Sequence, residues 1–169
     1  MINQLNELFG ATERPKNTTH YFEKMTPEQS DAFYFLTKKW QDITWKDWSD
    51  HPDAIFLFNE SEFLYYLPSL LKISIIHKSK NELLNATCSF ISMLDRSDNF
   101  KNWDDFFIAR VKMFSFQQIK FIQNWILYMS EFDFFPPDQL DRAFKTLEII
   151  LSLDLQKNRA QKQRGQKTK

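Results

Sequence analysis

The sequence predicts an all-α fold, a single compact bundle of about six to eight helices around an aromatic-rich core. Three observations carry that expectation. No glycine stands between Gly10 and Gly165, and tight two-residue hairpins need the positive φ that glycine supplies most cheaply, so a body built from β-hairpins is disfavoured. Aromatic residues make up 17% of the chain, with 18 Phe, 5 Trp and 5 Tyr, and rings that bury about 150–250 Å² each favour a contact-dense core. Capping signatures recur ahead of runs whose apolar residues are spaced three and four apart, the spacing of one helical face.

Taken in order, a short helix is expected from Asn3 to Phe9, ended by Gly10 as a left-handed terminal residue. Thr26-Pro27-Glu28-Gln29 opens the next, with Thr26 as cap, Pro27 at the first helical position and Gln29 closing a capping box. Its apolar face is Ala32, Phe33, Leu36 and Trp40. A turn of helix around Trp45 and Trp48 and a brief apolar piece, Ala54 to Phe58, follow on either side of Pro52. Asn59-Glu60-Ser61-Glu62 caps a long helix to Ile76 that should be kinked at Pro68, which lacks the N–H that would bond the Leu64 carbonyl. That kink either leaves a freed carbonyl beside Tyr65 and Tyr66 as a polar pocket or lets a central helix wrap its neighbours.

Ser79-Lys80-Asn81-Glu82 starts a helix through Leu94, with Leu84, Cys88, Ile91 and Leu94 aligned. A short helix around Trp103 to Val111 and another box, Ser115-Phe116-Gln117-Gln118, lead to a helix ending near Ser130. Pro136-Pro137 breaks the chain, and the last helix runs from Asp138 past Leu155 on Leu140, Phe144, Leu147 and Leu151. At 169 residues the chain is one domain by size. It divides into a helical body, 1–156, and a basic, flexible tail, 157–169.

Charge separates these two parts. Six of the 22 basic residues, Lys157, Arg159, Lys162, Arg164, Lys167 and Lys169, fall in the tail with no acid, leaving the body 16 basic against 22 acidic residues, a net of −6. An acidic body argues against a general nucleic-acid binder and suits a basic partner. The start, Met1 to Glu7, lacks the charge and apolar run of a secretory leader, and no stretch reaches the roughly 20 apolar residues of a membrane span, so a cytoplasmic protein is expected.

Catalytic chemistry finds little support. No glycine-rich loop cradles a phosphate, and His20, His51 and His77 lie in separate segments without metal-ligand spacing. His51, between Asp50 and Pro52, reads as a surface loop histidine. Cys88 sits on an apolar face rather than beside an activating base. The carboxylate pairs Glu60/Glu62, Asp104/Asp105 and Asp50/Asp53 could hold a cation or serve a small hydrolase, yet residues one or two apart on a helix face different ways. No enzyme, cofactor or metal is expected.

The segment Trp40 to Glu62 is the distinctive one. Acids interleave there with tryptophans, and aromatic anchors ringed by charge are what binds and selects a basic partner. The expected partner-binding residues are Trp45, Asp47, Trp48, Asp50, Asp53, Glu60 and Glu62. A weaker alternative gives the tail polyanion binding.

Thr26-Pro27-Glu28-Gln29 with Phe33 and Leu36, a tryptophan-containing connector, Ala54-Ile55-Phe56-Leu57, and Phe63 with Tyr65-Tyr66-Leu67-Pro68 resemble a bacterial family of small helical domains of unknown function, over roughly residues 22 to 130. That resemblance implies no catalytic residue. In size, layout and acidity the chain is also similar to immunity proteins of polymorphic-toxin systems, which implies a protein that neutralises a cognate toxin by occluding its active or substrate-binding surface.

Overall fold

The computed structural model describes residues 1–16, 26–77 and 84–166. Every regular element among them is helical. The α-helices are α1 (Ile2–Phe9), α2 (Pro27–Leu36), α3 (Trp45–Asp50), α4 (Ala54–Leu57), α5 (Glu60–Ile76), α6 (Leu84–Leu94), α7 (Asp105–Val111), α8 (Phe116–Met129) and α9 (Pro137–Gln166). They number nine rather than six to eight because the segment around Pro52 yields two separate short helices, α3 and α4. The capping signature Ser79 to Glu82 and His20 lie outside the described residues.

Local chemistry explains the helix starts. Thr26, Asn59 and Ser115 each accept from the backbone N–H three residues on, and the side chain there returns a bond to the cap backbone. Thr44 and Asp47 make the same box at α3. Pro137 takes the first position of α9, where its missing N–H costs nothing. Gly10 departs from expectation: its φ is −62°, in the right-handed region. A Cβ there would collide with the Asn6 carbonyl oxygen, so glycine serves close approach rather than a left-handed turn.

Helix α5 is the spine. From Phe63 to Leu71 only Leu64 is not buried, and a helix buried nearly all round belongs at the centre of a bundle. Pro68 lies inside it and is buried. Trp48 of α3 and Trp125 of α8 bring polar edges into this core, and α5 answers with serines: Trp48 Nε1 donates to Ser69 Oγ at 2.9 Å, and Trp125 Nε1 to Ser74 Oγ at 2.8 Å. Rings fill the space between. Phe35 meets Trp48, Phe58 and Tyr66 at centroid distances of 4.5, 5.6 and 6.0 Å, and Phe90 meets Trp125 at 5.5 Å. Most of these contacts are tilted or edge-on, as ring quadrupoles prefer.

Helix α9 packs along α6 and α8. Two ion pairs fix its polar side to the segment after α6: Arg142 holds both oxygens of Asp95 at 2.7 and 2.8 Å, and Lys145 holds Asp98 at 2.6 Å. Its backbone continues as helix through Gln166, into the basic segment. No described helix is long and apolar enough to cross a membrane.

Candidate functional site

The structure divides the seven residues expected at a partner surface. Asp47, Trp48 and Glu62 are internal, and the surface role given to them is corrected. Trp48 is fully buried with its indole N–H bonded to Ser69. Glu62 is fully buried and Asp47 is 5% exposed, because each is the third residue of a capping box whose carboxylate turns back on its own helix. Glu62 Oε2 accepts from the Asn59 N–H at 2.9 Å. Trp45 is half-buried, whereas Asp50, Asp53 and Glu60 are exposed. Asp50 is paired with Lys46 at 2.9 Å, one turn back, and Asp53 accepts from Ser89 at 3.2 Å.

Asp47 anchors a polar cluster between α2 and α3. Its carboxylate accepts from the Thr44 N–H at 2.7 Å, Thr44 Oγ1 at 2.9 Å, Lys38 Nζ at 2.6 Å and the Tyr34 hydroxyl. Burial would raise its pKa, but the bonds from Lys38, Tyr34 and Thr44 outweigh burial and hold it at about 2. His51, in the loop that ends α3, is half-buried and belongs to the same corner. Its Nδ1 lies 2.8 Å from Asp31 Oδ1, and its ring covers that of Tyr34 at 4.4 Å. Each acid here is saturated by a partner that also fixes the α2–α3 packing, which is a structural role.

Of the Asp104/Asp105 pair, Asp104 is engaged structurally. Asp104 caps α7 through the Phe107 N–H and receives Arg96 at 2.9 Å. No group of three or more His, Cys, Asp or Glu is placed to hold a metal ion among the described residues. Cys88 packs partly buried against the core, and burial raises its thiol pKa. The Tyr66 hydroxyl donates to the Lys38 carbonyl at 3.3 Å, tying α5 to the end of α2, and burial pushes its pKa up to about 12.

An open apolar groove lies elsewhere, where α8 turns into α9. It encloses about 620 Å³. Ile126 and Leu127 of α8, Phe132 and Phe135 of the turn, and Leu140 and Phe144 of α9 form its walls. Leu127 is 53% exposed and Phe134, stacked on Phe132 at 6.0 Å, is 37% exposed. Two acids, Asp133 and Asp141, share the lining.

The chain that forms the turn and the start of α9 carries charge of one sign. No basic residue occurs between Lys120 and Arg142, while Glu131, Asp133, Asp138 and Asp141 do. None of those four makes a salt bridge among the described residues. The nearest cations of α9 are engaged across the helix: Arg142 docks on Asp95, and Asp138 and Asp141 reach it only as weaker, longer-range charges. The sequence reading passed over this site. A cation-free stretch holding Phe132, Phe134 and Phe135 beside four acids was the signal that could have found it.

Fold and groove together define a small all-helical domain that presents an acid-rimmed apolar surface. Residues 10–150 match a family of unknown function (DUF6714), and the chain belongs to that family. No curated protein matches the chain, and no solved structure does.

Proposed function

We propose that this chain is a protein-binding module whose partner carries a basic surface, and that within this class it acts as a cytoplasmic immunity protein that occludes the active or substrate-binding surface of a cognate toxin. One observation supports the reading above the rest: the α8–α9 groove exposes large apolar side chains beside acids that form no ion pair among the described residues. A concave apolar site with a few convergent polar groups is the usual form of a binding site. Charge at the rim speeds encounter and selects sign, while apolar anchors slow release.

The surface near α3 and α4 adds to this reading as a second contact area. Asp50, Asp53, Glu60 and the 37%-exposed Phe56 give the basic partner further acids and a second ring. Occlusion requires shape and charge, not a reacting group, so the proposal asks nothing of the saturated carboxylates.

The test is co-expression with the product of the neighbouring gene. The expected result is relief of growth arrest and co-purification of a stoichiometric complex. Arrest that persists, with no complex on an affinity column, would overturn the immunity reading.

A further inference from the structure

We propose that the α8–α9 groove receives a single amphipathic helix of the partner protein, apolar face down, with Lys or Arg along its flanks. The inference rests on the binding-module reading and names what the groove takes. Backbone chemistry decides between a helix and a strand. Both long walls are helices, α8 and α9, whose amide and carbonyl groups are spent on their own turns, so there is no edge for an extended peptide to pair with. An occupant must arrive with its backbone already satisfied, and a helix does.

Size and charge narrow it further. About 620 Å³ is within the range of a ligand pocket and accepts a few large side chains from one helical face. Leu127 lines the groove and is exposed to meet them, and Phe134 is exposed beside it, stacked on the lining residue Phe132. Asp133 and Asp141 in the lining, with Glu131 and Asp138 adjoining in sequence, would repel an acidic helix and attract a basic one. The chain's own basic segment does not fit this description. Residues 157–169 offer six cations but only Ala160 as an apolar side chain, so a second copy would bring charge without anchors.

Fluorescence anisotropy on the full chain tests the idea with two labelled peptides of about 18 residues, five helical turns, that share one apolar face of Leu and differ only in carrying Lys or Glu elsewhere. The Leu/Lys peptide is expected to bind at least about tenfold more tightly than the Leu/Glu peptide. Leu127→Ser and Phe134→Ser should each weaken it by about tenfold or more, and Asp133→Asn with Asp141→Asn should weaken it and flatten its salt dependence. Leu127 is exposed enough that helix content and denaturation midpoint should stay unchanged in Leu127→Ser, which sets lost binding apart from lost fold.

Equal binding of both peptides, or Leu/Lys binding that ignores Leu127→Ser and Phe134→Ser, would overturn the proposal. So would self-association of the chain that those substitutions abolish, since the occupant would then be a second copy. A cognate protein that co-purifies while both peptides fail removes the helix and leaves the binding module standing. Failure of both removes both.

Discussion

The indole N–H of Trp48 donates to Ser69 Oγ at 2.9 Å in the interior of the bundle, and the Ser69 hydroxyl in turn donates to the Tyr66 carbonyl at 2.7 Å. The serine thus lets a fully buried tryptophan lie against α5 without an orphaned donor. Ser69→Ala should cost about 1–3 kcal/mol, because the N–H is left without a partner where water cannot reach. Trp48→Phe combined with Ser69→Ala should be less destabilised than the sum of the two changes. Urea denaturation of the four proteins of this cycle measures the coupling, and strict additivity would mean that the bond contributes nothing.

Acid should loosen the α2–α3 corner in a narrow window. The pKa of Asp47 lies at about 2 when folded against 3.8 in its unperturbed state. A depressed pKa gives stability that is fully present above the unfolded value and lost as pH falls through the folded one. The contribution, roughly 2 kcal/mol, should therefore fade between about pH 4 and pH 2. Asp47→Asn should lower stability at neutral pH and flatten the pH dependence across that window. A variant as steep as the parent protein would place the titration elsewhere.

Asp47 also shows what the sequence could and could not tell. The boxes at Thr26, Asn59 and Ser115 were legible because every partner lies within three residues. The same rule, applied to Thr44-Trp45-Lys46-Asp47, would have turned Asp47 inward, and it explains Glu62 as well. Asp47 looks like an interface acid only when its capping role is overlooked, and Glu62 only when its box is read without turning its carboxylate inward. Other relationships had no local signal. That Trp48 would find Ser69 21 residues away, or that Arg142 would turn to Asp95 47 residues away, depends on how helices pack. The groove lies between these cases: its acids and rings stand in a cation-free stretch legible in the sequence, but its walls meet only through the packing of α8 on α9.

Gly10 gives a test of close approach without positive φ. Its dihedrals suit any residue, so Gly10→Ala faces no backbone penalty, but the new methyl meets the Asn6 carbonyl oxygen at the end of α1. Destabilisation of about 1–3 kcal/mol is expected, as for other overpacked sites. Thermal denaturation reads it. An unchanged midpoint would mean that the last turn of α1 relaxes to accept the methyl.

The pair Asp95–Arg142 should tune the groove from behind. Arg142 keeps the Asp95 carboxyl below its ordinary pKa, and the bidentate contact holds the guanidinium away from Asp138 and Asp141. Asp95→Asn releases that hold. Freed, Arg142 would turn toward the acids on its own helix, whose charges it already feels, and cancel part of the rim potential that attracts a basic partner. Because the pair is exposed on the Arg142 side, the denaturation midpoint should move little. Association should slow severalfold, with the deficit shrinking as salt screens the rim. Arg142→Gln should do the opposite, removing the cation and leaving the acids bare, so association should match or exceed that of the parent protein. Stopped-flow measurement of both variants against one basic ligand separates the outcomes. If the two variants slow association equally, the pair acts through the packing of α9 rather than through its charge.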